Sequence, residues 1–301
     1  MSSGCFDERR VLVQGLSTVY FEAGEGSAVL LLHGSATSPR DWERIARELG
    51  STHRVLALAL PGYGDTSPLG DVRPAAVASF VASFLDRLGV EEVIMVGHSY
   101  GGLVALEFAL SRPQRVTRLV LADSAGLGRA VNPALVVLAS APRPVVSALV
   151  TAMLLPGGAL LRTLLTGLQL RHPWRVPLHA WFDQARLTHS RTFLTTSVEV
   201  VKVGVGLTGL RPQYNVADRL SEIHVPVLVI WGLTDLIFPF WQAVRAVREL
   251  PSAKLAIIPD AGHVTHLDSH EEFCDALGPF VRDDPDPVRR GATEWRNHGQ
   301  D

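Results

Sequence analysis

Short runs of apolar residues recur along the chain and alternate with longer amphipathic segments. The first two runs, 11–15 and 17–21, stand close together and predict an antiparallel pair of strands. The later runs are nearly continuous in Val, Leu, Ile and Ala, which is typical of parallel strands covered on both faces. They are AVLLLHG, RVLALALPGYG, EVIMVGHS, VTRLVLAD, VPVLVIWG and KLAIIPDAGH.

Helical patterns separate these strands. The segment 38–49 offers Ser38 as a candidate N-cap and Pro39 at the first helical position. Strands that alternate with helices in this way predict an α/β fold, with a mostly parallel sheet and helices on both faces. The other predicted helices cover residues 74–88, 101–111, 241–250 and 270–281.

Residues 126–218 interrupt the alternation, because they are helical in pattern and contain no clear strand. The segment follows the C-terminal end of a strand, where open α/β sheets bind their ligands, so we interpret it as a helical cap. A second small domain that only adds stability is the alternative. The core domain is then predicted at 1–125 and 219–285, and the tail 286–301 is predicted to be disordered.

The composition and charge of the chain limit the classes of protein to which it can belong. With 301 residues, 47% apolar and 19% charged, the chain is predicted to be globular. A net charge of −2 without a basic stripe indicates no nucleic-acid partner. The uncharged stretch 144–161 is interrupted by Pro156-Gly157-Gly158, which predicts two short helices and no integral membrane span. Two cysteines and a polar start without an apolar signal region favour a reduced, cytoplasmic protein.

The pentapeptide Gly97-His98-Ser99-Tyr100-Gly101 lies between a predicted buried strand and a predicted helix. Strand, sharp turn and helix form the setting that a nucleophile elbow requires. Such a turn places Ser99 above the sheet, at the N-terminus of the helix. A serine hydroxyl is a weak nucleophile, so it needs a base to accept its proton and a third group to orient that base.

Asp235 and His263 follow two later strands at the same edge of the sheet, in the order Ser, acid, His that accompanies such an elbow. They are the predicted catalytic acid and base beside Ser99. Asp123 also ends a strand and is the alternative acid. Asp260 is interpreted as a turn residue, and His266 is the alternative to His263.

The developing oxyanion needs hydrogen-bond donors. One is the backbone N–H of the residue after the nucleophile, Tyr100, and the other comes from the loop after an earlier strand, where Ser35 is the candidate. His33 is interpreted as a residue that organises the loop after the earlier strand, and His98 as one that packs beside the elbow. No metal-ligand cluster is predicted.

Five segments, in order over about residues 11–282, resemble the α/β-hydrolase fold superfamily with a helical cap. They are LLLHGSATSPRDW, LALPGYGDTS, VGHSYGG, VLVIWGLTDLIFP and DAGHVTH. The resemblance implies an eight-stranded, mostly parallel sheet, a triad of Ser99, Asp235 and His263, no cofactor, and acyl transfer through a covalent acyl-enzyme. Two departures, Ala59 where Asp is usual and Ser269-His270 where Pro is frequent, argue against a narrower assignment.

Together these features predict a cytoplasmic, cofactor-free serine hydrolase. The apolar cap favours a small hydrophobic ester, or a related carbonyl compound, as the substrate. Relatives that use Asp at the elbow, the dehalogenases and epoxide hydrolases, are excluded by Ser99.

Two alternatives remain open from the residues. One is a hydrolase of carbon–carbon bonds, or a lactonase, in a catabolic or natural-product pathway. Similar carbon–carbon hydrolases tend to have Trp after the catalytic His, where this chain has Val264, and a cap arginine, for which Arg186 and Arg191 are candidates. The other alternative is a ligand-binding module with little turnover.

Overall fold

The computed structural model describes residues 6–155, 157–167, 169–187, 189–282 and 293–294. The described strands are β1 (Asp7–Val13), β2 (Leu16–Ala23), β3 (Ala28–Leu32), β4 (Arg54–Leu58), β5 (Val93–His98), β6 (Val116–Ala122), β7 (Val205–Gly206), β8 (Gly209–Leu210), β9 (Val227–Gly232), β10 (Ala253–Ile258) and β11 (Thr293–Glu294). All except β7 and β8 belong to one central sheet.

The strand order in this sheet is β1-β2-β4-β3-β5-β6-β9-β10-β11. β1 and β2 run antiparallel to their neighbours in this sheet. The six strands β4, β3, β5, β6, β9 and β10 are all parallel to one another. The predicted eight-stranded, mostly parallel sheet is therefore confirmed, and β11 adds a two-residue antiparallel strand at the edge. The predicted disordered tail, 286–301, lies outside the described residues apart from 293–294.

Helices cover both faces of the sheet. They are α1 (Glu43–Leu49), α2 (Pro74–Arg87), α3 (Tyr100–Ser111), α4 (Pro133–Ser140), α5 (Arg143–Leu154), α6 (Gly158–Gly167), α7 (Leu178–Leu187), α8 (Arg191–Gly204), α9 (Trp241–Glu249), α10 (Thr265–Asp268) and α11 (His270–Arg282). Leu30 and Leu32 of β3 pack in the core that includes α2 and α3. Val29 and Leu31 pack in the opposite core, with α1 and α11. Alternating side chains point to opposite faces of a strand, so a strand buried on both faces is apolar throughout.

The segment between β6 and β9 forms α4 to α8 and the short β7–β8 hairpin. It lies over the loops that follow β3 and β4. Ser38 Oγ donates a hydrogen bond to Asp183 Oδ2 at 2.8 Å, and Gln184 Nε2 donates to the Ala36 carbonyl at 3.0 Å. These contacts place the insertion above the C-terminal ends of the strands.

The uncharged stretch 144–161 is divided between α5, which ends at Leu154, and α6, which begins at Gly158. In the described part of the chain, no single helix has both the length and the apolar composition needed to cross a membrane. α4 and α5 meet both criteria only when taken together, and they are bent by 111° at the break between them.

Candidate active site

Ser99 occupies the sharp turn between β5 and α3 with φ 53° and ψ −116°. A positive φ is uncommon for a residue other than glycine and costs roughly 1–3 kcal/mol, so the surrounding structure must hold it. The Ser99 N–H donates to the Ala122 carbonyl at 3.0 Å, and the Ser99 carbonyl accepts from the N–H groups of Gly102 and Leu103. The hydroxyl is therefore presented from a fixed backbone.

Two glycines make this turn sterically feasible. A Cβ at Gly97 would lie 2.5 Å from the Gly101 carbonyl oxygen, and a Cβ at Gly101 would lie 2.5 Å from the carbonyl oxygens of Leu32 and His33. Because neither position has room for a side chain, the first turn of α3 packs directly on β5 and on the end of β3. This close approach brings the loop after β3 next to Ser99.

Ser99, His263 and Asp235 form one continuous chain of hydrogen bonds. His263 Nε2 lies 3.0 Å from Ser99 Oγ, and His263 Nδ1 lies 2.9 Å from Asp235 Oδ2. The second carboxylate oxygen of Asp235 accepts from the N–H groups of Ile237 and Phe238. An ionised Asp235 requires Nδ1 to carry the ring proton, which leaves the Nε2 lone pair facing the serine hydroxyl.

Burial and two carboxylates determine the direction in which the pKa of His263 is shifted. Burial lowers the pKa of His263, but the charge and hydrogen bond of Asp235, together with the charge of Asp123, outweigh it and leave the pKa raised. Both His263 and Asp235 are less than a tenth exposed. Little water therefore screens their interaction, and the acid stabilises the cation that forms when His263 accepts a proton.

Asp123, the alternative acid, serves other partners. Its Oδ1 accepts from the Gly232 N–H at 2.9 Å, and its Oδ2 accepts from Thr265 Oγ1 at 2.6 Å. Burial and repulsion by Asp235 raise its pKa. Asp123 thus joins the end of β6 to the end of β9 and to the start of α10, while Asp235 is the carboxylate bonded to His263.

Asp260 and His266, the other two residues considered near His263, have contacts elsewhere. Asp260 lies outside the hydrogen-bond chain and pairs with His172 of the insertion at 2.6 Å. His266 stacks on Trp42, with ring centroids 4.1 Å apart, and burial lowers its pKa to about 3. Neither residue contacts Ser99.

His33 organises the loop after β3. The Leu60 N–H donates to His33 Nε2 at 3.1 Å, so Nδ1 must carry the proton that is shared with the Gly34 carbonyl at 2.7 Å. Burial lowers the pKa of His33 to about 4, against the effect of the Gly34 hydrogen bond. A neutral His33 therefore holds the loop that carries Ser35.

The two candidate oxyanion donors lie on either side of the nucleophile. Tyr100 begins α3 directly after Ser99, and a Cβ built on Gly34, next to Ser35, would lie 3.1 Å from Ser99 Cβ. Within the described residues, no acceptor is bonded to the backbone N–H of Ser35 or of Tyr100. Both N–H groups are thus able to donate to an oxygen atom of a ligand next to Ser99.

This geometry can be compared with known proteins. The chain matches the family described as the alpha/beta hydrolase fold over residues 27–269. The protein belongs to the α/β-hydrolase fold family. An uncharacterized protein of Mycobacterium bovis is 31% identical over 279 residues, which cover 89% of this chain and 79% of the relative.

Two further proteins with different named activities are similar to this chain. A 2-hydroxy-6-oxononadienedioate/2-hydroxy-6-oxononatrienedioate hydrolase of Comamonas testosteroni is 28% identical, over 84% of this chain and 86% of the relative. The solved structure of a thermophilic esterase from Thermogutta terrifontis aligns with a TM-score of 0.72 at 22% identity, covering 92% of this chain and 98% of the other. The latter likeness concerns the fold alone.

The candidate cap arginines of this α/β-hydrolase lie at the surface. Arg186 is bonded to Asp183, and Arg191 donates to Thr151 Oγ1 at 3.2 Å. Both arginines are exposed. Val264, directly after His263, is buried in a small apolar cluster between the insertion and the loop after β10.

Asp268 and Gln169 hold the loop that carries His263 in place, and neither was predicted from the sequence. The His263 N–H donates to the Gln169 carbonyl of the insertion at 3.0 Å. Asp268 is fully buried and accepts hydrogen bonds from the backbone N–H groups of Gly262, Arg171 and His172. The carboxylate thus joins the His263 loop to the insertion; in the sequence its only signal is its position five residues after His263.

One described group outside this site has metal-ligand chemistry. The ligand atoms of Glu48, His270 and Cys274 lie within 4.8 Å of one another. His270 Nε2 already donates to Glu48 Oε1 at 2.7 Å, and burial followed by the charge of Glu48 raises the pKa of the Cys274 thiol. We therefore interpret the group as a hydrogen-bonded contact between α1 and α11.

Proposed function

We propose that this α/β-hydrolase is a serine hydrolase that cleaves an ester-like bond of a small hydrophobic substrate through an acyl-enzyme on Ser99. The hydrogen-bond chain from Ser99 Oγ through His263 to Asp235 carries the proposal. Its two distances and the burial of His263 and Asp235 support the roles of nucleophile, general base and orienting acid.

The proposed reaction proceeds in two halves. His263 Nε2 accepts the hydroxyl proton while Ser99 Oγ attacks the substrate carbonyl, and the backbone N–H groups of Ser35 and Tyr100 bind the oxyanion. His263 then gives the proton to the leaving group, and the acyl group stays on Ser99. In the second half His263 activates a water molecule, which releases the acid and restores the hydroxyl.

The surroundings of the site support a hydrophobic substrate. The ring of Phe238 lies edge-on against His263, with centroids 5.4 Å apart. A cavity of about 130 Å³ lies between the core and the insertion. Its walls are mainly apolar and include Leu60, Tyr63 and Tyr100. Ser99 and His263 do not line this cavity, but Tyr100 does and directly follows Ser99, so we assign the space to an apolar part of the substrate that extends away from the reacting bond.

A carbon–carbon bond hydrolase is the second candidate, favoured by the named activity of the Comamonas relative. The residues of this chain favour an ester instead. Val264 occupies the position where similar carbon–carbon hydrolases tend to carry Trp, and the exposed Arg186 and Arg191 are bonded to Asp183 and Thr151. No arginine among these two is placed to bind a substrate carboxylate.

A substrate panel tests the proposal. The panel comprises p-nitrophenyl esters of increasing chain length, a dienone acid and a lactone, each with wild type, Ser99→Ala and Ser111→Ala. We expect ester turnover that falls by about 10³-fold or more in Ser99→Ala and stays unchanged in Ser111→Ala, because Ser111 is exposed at the end of α3. Turnover of the dienone acid alone would assign carbon–carbon chemistry. Tight binding that survives Ser99→Ala without turnover would assign a binding module.

A further inference from the structure

Three consecutive helices of the insertion each carry a pair of exposed, large apolar side chains. In every pair the two residues are four positions apart, so they lie one above the other on the same side of their helix. The pairs are Val145 and Leu149 on α5, Leu160 and Leu164 on α6, and Leu178 and Phe182 on α7, with exposed fractions between 38% and 74%.

These pairs belong to neighbouring elements. α5 packs on α6, and α6 packs on α7. Trp174, just before α7, is 75% exposed and extends the apolar surface. Isolated exposed apolar residues are ordinary, but a group on adjoining helices marks an interaction surface. We call α5, α6, α7 and Trp174 the apolar cap surface.

The charge of the insertion is opposite to that of the rest of the chain. Residues 126–218 contain nine Arg and Lys against three Asp and Glu, whereas the remaining residues contain 19 against 27. Arg143, at the first position of α5, and Arg175, beside Trp174, are exposed. A surface that combines apolar side chains with arginines is complementary to anionic lipid headgroups above acyl chains.

We propose that the apolar cap surface docks on the surface of an anionic lipid bilayer. The apolar pairs enter the boundary between headgroups and acyl chains, and the arginines of the insertion contact lipid phosphates. A symmetric contact between the insertions of two copies fits less well, because both insertions carry the same excess of positive charge and repel each other. The inference concerns binding alone and does not depend on which bond is hydrolysed.

Co-sedimentation with vesicles tests this surface. Vesicles of phosphatidylglycerol and phosphatidylcholine are compared with vesicles of phosphatidylcholine alone, at low and high salt. We expect binding to the anionic vesicles that weakens at high salt, since screening reduces the attraction of the arginines. Arg143→Glu is expected to weaken anionic binding, because it reverses one charge at the start of α5.

Matched substitutions separate this surface from general hydrophobicity. Leu178→Ser should lower the partition coefficient on anionic vesicles by about tenfold, and the further change Phe182→Ser should lower it again. Leu12→Ser is the control, because Leu12 is 63% exposed on β1, away from the insertion. All variants are first compared by thermal unfolding, and similar midpoints are required, since none of these side chains is buried.

Three results would overturn the proposal. The first is equal binding of anionic and neutral vesicles, and the second is an unchanged partition coefficient in the Leu178→Ser/Phe182→Ser variant. The third is a wild type that dimerises in solution and does not bind the vesicles, together with a Leu178→Ser/Phe182→Ser variant that is monomeric. This result would assign the surface to self-association. Each result is independent of ester turnover, so failure here and failure of the proposed hydrolase activity remain distinguishable.

Discussion

His98 Nε2 donates a hydrogen bond to the backbone carbonyl of His263 at 2.8 Å. The residue that precedes Ser99 thus holds His263, the residue proposed to activate Ser99. Burial, followed by the charges of His266 and His263, keeps the pKa of His98 well below its ordinary value, so the ring stays neutral. We infer that His98 is a positioning residue that fixes the height of the His263 ring above Ser99.

Substitutions at His98 test this positioning role. His98→Leu leaves the buried His263 carbonyl without its donor, which costs about 1–3 kcal/mol and should lower kcat roughly 10- to 100-fold with little change in KM. His98→Gln can donate from its side-chain amide at the same height, so it should recover much of the kcat. Steady-state kinetics on the best ester checks both; an equal loss of kcat in the two variants would show that the hydrogen bond does not position His263.

The Ser35 backbone N–H is the candidate oxyanion donor from the loop after β3. Ser35→Pro removes this N–H and should lower kcat by about 10²- to 10³-fold, as the loss of one preorganised donor does. Ser35→Ala keeps the N–H and removes only the hydroxyl that contacts Tyr63 at 3.1 Å. Comparable kcat values for the alanine and proline variants would exclude this N–H as a donor.

Asp235 is expected to control how kcat/KM depends on pH. Only neutral His263 accepts a proton, so kcat/KM should fall as the pH drops through its raised pKa, and the acidic limb should lie above the ordinary histidine value of 6.5. Asp235→Asn removes the charge that raises this pKa while burial still lowers it. In this variant the acidic limb of the kcat/KM profile should therefore move to lower pH, and the maximal kcat/KM should drop by about 10⁴-fold. Profiles of kcat/KM against pH for wild type and variant measure both effects; a variant limb that stays in place would refute the assignment.

Asp268 and Asp260 both bind the insertion near residues 171–175, yet only Asp268 is fully buried. Asp268→Asn turns one acceptor oxygen into a donor that faces a backbone N–H, and it should lower the free energy of unfolding by about 2–4 kcal/mol. Asp260→Asn, at an exposed site, should leave the urea midpoint close to that of wild type. Equal urea midpoints for the two variants would contradict the role given to Asp268.

Much of the fold could be predicted from the sequence, because buried parallel strands have continuous apolar sequences. All six residues of β5 and of β9 are buried, as such runs require. The start of the helical segment after β3 was also predictable: Ser38 Oγ accepts from the Arg40 N–H at 3.1 Å, although the first turn is a 3-10 helix, Pro39–Trp42, before α1 begins.

The residues that support the candidate site were harder to predict. Ser99, Asp235 and His263 each follow a strand, and the parallel register brings strand ends together at one edge. Asp123 meets the same criterion, and only its hydrogen bonds to Gly232 and Thr265 separate it from Asp235. The role of Asp268 could not be predicted from the sequence, because two of its partners, Arg171 and His172, are backbone groups of the distant insertion.

The exposed apolar pairs of the insertion were visible in the sequence only as apolar content. In a short helix, an apolar residue in contact with the core and one in contact with solvent look alike. Val146 packs against the core whereas Val145 is 56% exposed, and the two are neighbours in the chain. Which side of α5 faces outward depends on how α6 and α8 pack against it.

The most direct test of the proposed chemistry is to locate the covalent adduct. The protein is treated with a fluorophosphonate ester, digested and examined by peptide mass spectrometry, with Ser99→Ala and His263→Ala in parallel. We expect a single adduct on Ser99 in wild type, none in Ser99→Ala, and much slower labelling in His263→Ala. Ester turnover by wild type without an adduct on Ser99, or labelling of another residue that accompanies the loss of turnover, would contradict it.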